Sequence, residues 1–455
     1  MSVDLKFLES GKAIRDPIWG YIHVPWDMIS LVDTQEFQRL RDISQLGHVL
    51  LVYPGARHSR FEHSLGVFHL TGQFLNQLLK ADHPLDIEME DARVLLAASL
   101  LHDVGHYPFS HLFEEMQMFF VDHEKRGRQI LLDPATEIHT ALLEVQIDPL
   151  RVSNVIDYKN VKAEIPPRDL RLAYILSGTL DPDKIDYLLR DARYCGVPFG
   201  ESVNRDRLVR AITFDPASQR PAITYKGVSA VEALIFTNYL MYRNVYWHHA
   251  VRSANAMLKR GIQDLLAHPE CSLEEADFDR STETDLIHRL ELEMDRLGVD
   301  KRENMIARLK RRKLYKVART FFQHERNQDL MNTFEHLYYH PEARRKLETE
   351  LCDRISGMIN DRLRSDEILI DIPRLGKSPE VDLKVFFGSH IPADKADPLS
   401  FDDPEVTLLK DYLIGNFEAQ AKVVRIFCTD NPALLETVKA EIQNLLTSWA
   451  EKIAG

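Results

Sequence analysis

The dipeptide His102-Asp103 closes a mostly apolar run, Ala92 to Leu101, and that placement constrains the chain more than any other feature. A run of this composition predicts a core helix, so the pair at its end is delivered from a rigid, buried element. Gly105 and Pro108 then interrupt the helix, with His106 and His111 close by. Together with Asp103 and Glu114 these side chains make a dense titratable cluster, a pattern that points to catalysis or metal binding. Any single one of the chain's 19 histidines is better read as a satisfied core or surface residue.

Two further segments complete a ligand set. His63 stands in "SRFEHSLGV" and Asp183 in "LDPDKIDYLLRD". If the four converge, two imidazoles and two carboxylates suit one divalent cation such as Mn, Fe, Zn or Mg. Asp183, Tyr187 and Asp191 are spaced i, i+4, i+8, which predicts one helical face for all three, while Ile185, Leu188 and Leu189 turn to the core. Spacing alone fits a solvated acidic face equally well.

The segments "FEHSLGV", "HDVGHYPFSH" and "DPDKIDYLLRD" resemble the signature of the HD-domain deoxynucleoside triphosphate triphosphohydrolases, a family that includes bacterial dNTPases and the animal sterile-alpha-motif HD protein. The likeness begins at "AIRDPIWGYI" and fades toward the C-terminus, and the sterile-alpha-motif module has no counterpart. It implies that His63, His102, Asp103 and Asp183 bind the metal. It places His106, His111 and His123 beside the scissile phosphate, with Glu114 orienting a catalytic histidine. Arg60 and Lys184 would hold phosphates, Tyr187 and Asp191 the sugar end, and Gln45 a sugar hydroxyl. Tyr246, in "YRNVYWHH", would pack under the sugar and exclude a 2′-hydroxyl. Asn238 departs from the pattern: animal-type relatives carry an arginine there that grips the triphosphate, and Arg243 is a candidate substitute. The resemblance further implies a homo-oligomer, of the order of a tetramer, whose interfaces take an activating nucleotide. Lys12, Asp33, Gln38 and Arg41 match its guanine-binding positions, and Lys226, Arg312 and Lys316 its phosphate contacts. A plainer reading has Asp33 capping a helix that contains Phe37 to Leu46, with the basic cluster merely solvated.

The chemistry such residues support is hydrolysis at phosphorus. A divalent cation polarises the phosphate and activates water, Arg60 and Lys184 offset charge, and His106, His111 or His123 can each be drawn as the proton shuttle. Among 455 residues, 70 acidic against 57 basic side chains give a formal charge of −13, which disfavours a broad nucleic-acid surface but leaves room for a basic pocket that draws in a nucleotide. The four cysteines have no C-x-x-C spacing, so neither a disulfide framework nor a zinc ribbon is expected. The first residues lack a signal-peptide core and no apolar run reaches the roughly 18 residues of a membrane span. A cytoplasmic location is therefore expected.

The expected fold is mainly α: an HD-type helical catalytic core over 1–265, a charged helical region over 266–365 whose basic run extends from Arg308 to Arg319, and a small α/β lobe over 366–455. In that lobe "EILIDIP", "VDLKVFF" and "AKVVRIFC" read as strands, and Asn431 as the N-cap of a closing amphipathic helix. Three functions compete: a dNTP triphosphohydrolase, an HD phosphohydrolase with a monophosphate, cyclic or signalling nucleotide as substrate, and a nucleotide-sensing oligomer with a vestigial metal site.

Overall fold

The computed structural model describes residues 3, 5–116, 120–299, 304–322, 328–373, 382–388, 397–409 and 423–454. The fold is mainly α, as expected. Its centre is a pair of packed helices, Arg60–Leu78 and Met89–Leu101. The second begins with a reciprocal capping box between Glu88 and Asp91, is buried along almost its whole length, and ends on His102. Helix Pro182–Cys195 packs against the first of the pair. Asp181 caps its N-terminus by accepting from the Lys184 amide, Pro182 opens it, and Gly196 in the left-handed region (φ 69°) ends it. Ile185 and Leu188 are fully buried, as the period requires.

The turn after His102 is held by close contact. A Cβ on Gly105 would lie 2.0 Å from the His123 carbonyl oxygen and 2.5 Å from the Gly127 nitrogen, so only glycine lets helix His123–Leu132 approach the turn. Arg126 donates from Nη1 to the carbonyls of Gly105 and His106 at 2.8 and 3.1 Å, and Arg39 donates from Nη2 to the His106 carbonyl at 2.6 Å. Carbonyls left open by the broken helix thereby find charged donors.

Several elements differ from the sequence reading. The first 265 residues are not helical throughout: Gly11–Asp16 and Gly20–Pro25 form an antiparallel hairpin, and Ile212–Asp215 pairs with Arg220–Thr224. Strand Lys384–Phe386, from "VDLKVFF", runs parallel to Arg220–Thr224, so it joins that sheet instead of the C-terminal one. The basic run is not one helix face. It passes from helix Met305–Lys310 into strand Lys316–Phe321, which pairs with Val424–Cys428, itself flanked on the other side by Ile368–Asp371. Nor does Asp33 cap a helix over Phe37 to Leu46. It follows Trp26–Val32 as the C-cap, its amide donating to Ile29 O, and the next segment breaks into a turn of α-helix, Gln35–Gln38, and a 3-10 turn, Arg39–Asp42.

Helix Pro432–Ala454 closes the chain, with Asn431 Oδ1 accepting from the amides of Ala433 and Leu434 at 3.0 and 3.2 Å. All four cysteines are free. Among the described residues no helix is long and apolar enough to cross a membrane.

Gly105→Ala should cost about 1–3 kcal/mol through overpacking against the His123 helix. Thermal unfolding of the variant should show the lowered midpoint; an unchanged midpoint would mean the approach is not tight.

Candidate metal centre and active site

Three of the four expected ligands meet directly. One ligand atom each from His63, His102 and Asp103 lies within 4.8 Å of the others. Asp183 comes alongside: its Oδ1 is 2.9 Å from His63 Nε2 and 3.8 Å from His102 Nε2. Its side chain is 41% exposed, whereas that of Asp103 is 3% exposed, so one carboxylate faces outward and the other anchors the site from within.

The tautomers suit a cation. His102 Nδ1 lies 2.9 Å from the Ser99 carbonyl oxygen, which can only accept, so the neutral ring carries its proton there and presents a bare Nε2. That Nε2 is buried and makes no hydrogen bond among the described residues. A buried imidazole lone pair between two carboxylates has the donor chemistry that suits a divalent cation. His63 is set the same way, with Nδ1 2.8 Å from Asp186 Oδ2. Asp186 was not singled out by the sequence reading. Its carboxylate also accepts from Arg190 Nε and Nη2 at 2.8 and 2.9 Å and from Trp19 Nε1 at 2.5 Å, and Arg190 continues from Nη1 to Asp16 at 2.8 Å. This is a carboxylate–histidine pair of the kind that orients metal ligands.

Electrostatics agree. Burial opposes ionisation of Asp103, yet Arg60 and the neighbouring imidazoles hold its carboxyl well below the usual range. Burial disfavours charge on His63, but Asp183 and Asp186 outweigh it and push the imidazole up to about 10. The proton so retained is the one a divalent cation would replace.

Beside this centre lies a second group. His106 Nε2 is 3.2 Å from Asp103 Oδ1, and its ring stacks on His123 with centroids 3.8 Å apart and planes at 16°. His123 Nδ1 meets Glu114 Oε1 at 2.6 Å. The two imidazoles are pushed in opposite directions: burial, with Arg60 and His123 nearby, holds His106 well below its ordinary value, while Glu114 overcomes burial at His123 and pushes it up to about 9. The side chain of His111 lies outside the described residues.

The remaining expected residues fall into place unevenly. Arg60 is buried, donating Nη1 to Asp103 Oδ2 at 2.7 Å and Nε to Ser110 Oγ at 3.0 Å. A cavity of about 510 Å³ opens from Asp183 and is lined by Lys184, Tyr187 and Asn238, and also by Lys159, Lys162 and Arg220. Those last three cations were missed because they carry no motif: Lys159 and Lys162 belong to one short helical turn and its cap, and Arg220 to a strand about sixty residues later. Lys184 Nζ rests on the carbonyls of Gly178 and Thr179, both at 3.1 Å. Arg243 is not among the cavity's lining residues; it donates to the Tyr239 hydroxyl at 2.6 Å. Asp191 is already engaged, by His58 Nε2 at 2.7 Å and by the Tyr246 hydroxyl at 2.6 Å, and Tyr246 packs edge-on to Tyr187 and Tyr242. Gln45 Oε1 is buried and makes no hydrogen bond among the described residues.

Of the positions matched to a regulatory nucleotide, Arg312 and Lys316 line one cavity of about 1000 Å³ with Arg308, Lys313, His248 and His249. Gln38 and Arg41 bond each other at 2.7 Å, and Arg41 lies over the Phe61 ring. Lys12, Asp33 and Lys226 are exposed and line neither cavity.

Family comparison accords with this geometry. A model described as the HD domain matches residues 60–190, and one described as the HD associated region matches 203–393. The chain carries an HD domain. That domain holds the whole cluster from Arg60 to Tyr187. An uncharacterized Bacillus subtilis protein, YwfO, is 38% identical over 257 residues, 56% of this chain and 55% of the relative. A Dictyostelium discoideum protein named deoxynucleoside triphosphate triphosphohydrolase SAMHD1 homolog is 29% identical over 336 residues, 69% of this chain and 61% of the relative. The chain spans about half the length of the curated relatives it matches. A crystal structure of a hypothetical Aquifex aeolicus protein superposes with a TM-score of 0.67 at 23% identity, covering 95% of this chain and 99% of that one, which extends the fold likeness to nearly the full length.

His102→Ala should abolish stoichiometric divalent metal while leaving the helical circular dichroism largely intact, and Asp186→Asn should weaken metal affinity by about 10- to 100-fold. Metal analysis after dialysis reads both; full metal content in His102→Ala would remove the assignment.

Proposed function

We propose that the HD domain makes this chain a metal-dependent phosphohydrolase that cleaves deoxynucleoside triphosphates into deoxynucleoside and inorganic triphosphate. The observation that carries the proposal is the juxtaposition of the His63, His102, Asp103 and Asp183 cluster, the stacked His106–His123 pair and the cavity at Asp183, whose lining sets Lys159, Lys162, Lys184 and Arg220 beside Asp181 and Asp382. His63, His102, Asp103 and Asp183 would hold a divalent cation, which when bound would supply Lewis-acid charge for the phosphate and its attacking water. Water adds at the α-phosphorus, the bond to the 5′ oxygen breaks, and the leaving oxygen takes a proton. On this reading His123, bonded to Glu114, carries that proton, and one ligand atom each of His123, His106 and Asp103 lies within 4.8 Å of the others. His111 is assigned to the same phosphate by resemblance alone. Arg60 stabilises Asp103 and is assigned to a phosphate by resemblance, and Lys184 with Lys159 and Lys162 offsets the charge of the triphosphate, Arg220 being paired with Asp382 in the same cavity. On this reading Lys159 and Lys162 are the cations available to take over from the arginine that Asn238 replaces.

Tyr246 and Tyr187 form the sugar wall, fixed by the Tyr246–Asp191–His58 bonds, and Gln45 offers its unbonded carbonyl to a sugar hydroxyl. The names carried by the Dictyostelium and Gallus gallus relatives, at 29% and 28% identity, support the same substrate class. Asn238, a neutral amide in the cavity wall, favours a second reading in which another nucleotide is the substrate. An activating nucleotide belongs, on the leading reading, at subunit interfaces of a homo-oligomer, with Lys226, Arg312 and Lys316 on its phosphates and Lys12, Asp33, Gln38 and Arg41 on its guanine.

With Mn²⁺, dATP should yield deoxyadenosine and triphosphate at least about tenfold faster than ATP yields its counterpart, and Tyr246→Ala should narrow that ratio. Chromatography of the products separates the readings: equal turnover of dATP and ATP, or turnover of only a cyclic nucleotide or a monophosphate, would displace the leading one. Nucleotide should raise oligomer mass and initial rate together; full activity in a nucleotide-insensitive monomer would remove the regulatory part alone.

A further inference from the structure

A buried ionic cluster reaches the candidate active site from the C-terminal sheet. Arg252 lies in the first turn of helix His249–Leu266. Its guanidinium donates Nε and Nη2 to Asp371 at 2.8 and 2.7 Å, and Nη1 and Nη2 to Glu115 at 2.8 and 3.0 Å. Lys259 Nζ adds a bond to Glu115 at 2.7 Å. Asp371 ends strand Ile368–Asp371, and the side chains of Arg252, Lys259 and Asp371 are all at most 4% exposed.

Glu115 is the chain neighbour of Glu114, and both sit in the short 3-10 turn Glu114–Met116. The turn is therefore gripped on both sides. Glu115 is forked by Arg252, while Glu114 meets His123 at 2.6 Å, whose ring lies on His106. A three-residue 3-10 turn has little stability of its own. Apolar side chains of similar volume would often stabilise such a place as well as two cations and two carboxylates do, so stability alone does not account for the cluster. Fixed geometry does: bidentate arginine–carboxylate pairs hold position and orientation together.

We infer that Arg252, Lys259, Glu115 and Asp371 are positioning residues that fix Glu114, and through it His123, beside the metal centre, so that the C-terminal sheet governs the placement of the proton-carrying imidazole. The role of His123 rests on the phosphohydrolase reading above; the mechanical link does not.

The test uses the full chain with the near-isosteric variants Asp371→Asn and Glu115→Gln, and with Arg252→Lys, which keeps the charge and loses the fork. Bound metal, KM, kcat and hydrogen exchange in peptides carrying Glu114 to Met116 are measured on each. Expected are stoichiometric metal, KM within about twofold, kcat reduced about 10- to 100-fold, and faster exchange in that turn, with Arg252→Lys intermediate. Unchanged kcat and exchange in a folded variant would overturn the inference, as would loss of metal in parallel with kcat, which marks general destabilisation. Should the unsubstituted protein hydrolyse no nucleotide, the phosphohydrolase reading fails by itself, and exchange with metal content still decides whether the cluster positions the turn.

Discussion

The carboxylate of Asp186 is the constraint on which the rest of the site depends. It is fully buried, and four nitrogens converge on it: His63 Nδ1, two from Arg190 and the indole of Trp19. Burial opposes its charge, but Arg190 and His63 overcome that and hold it well below the usual carboxylate range. An ionised Asp186 can only accept, so His63 must donate from Nδ1 and turn Nε2 toward the ligand cluster. The same carboxylate excludes any side chain at position 66, where a Cβ would fall 1.9 Å from Asp186 Oδ1. Removing one partner from such a group strands a buried charge, a loss of about 3–5 kcal/mol.

Around that anchor the protein divides its labour by burial. His63 and Asp103 are set by partners that solvent does not reach, whereas Asp183 stands at the edge of the 510 Å³ cavity. The inner side chains are fixed by buried partners, and the outer carboxylate is open to whatever enters the cavity. The imidazole pair follows the same division: His106 contacts Asp103, and His123 leans on Glu114, whose chain neighbour Glu115 is bonded by Arg252 from far along the chain.

What the sequence made legible is what short-range periodicity and chemistry encode. The apolar run before His102, the breakers after it and the i, i+4, i+8 spacing of Asp183, Tyr187 and Asp191 all map onto elements the structure contains. Asp186 was legible in principle, since Asp186 and Arg190 are an i, i+4 pair, but in "DPDKIDYLLRD" it looks like one more acid on a solvated face. Its burial depends on Gly66, 120 positions away. Asp191 was read as a sugar contact, and the structure shows it already bonded to His58 and Tyr246, partners that no local pattern reveals. Strand Lys316–Phe321 was hidden because its basic side chains mask the alternation, and its pairing partner lies about a hundred residues later. The ionic cluster around Arg252 joins residues from 115 to 371, a separation at which sequence pattern is silent.

The most direct measurement is anomalous diffraction from crystals of the full chain soaked in Mn²⁺. The account expects one strong peak bonded to Nε2 of both His63 and His102 and to carboxylate oxygens of Asp103 and Asp183, with His63 Nδ1 still on Asp186. A peak at another set of side chains, or His63 turned away from Asp186 with no bound ion, would contradict it.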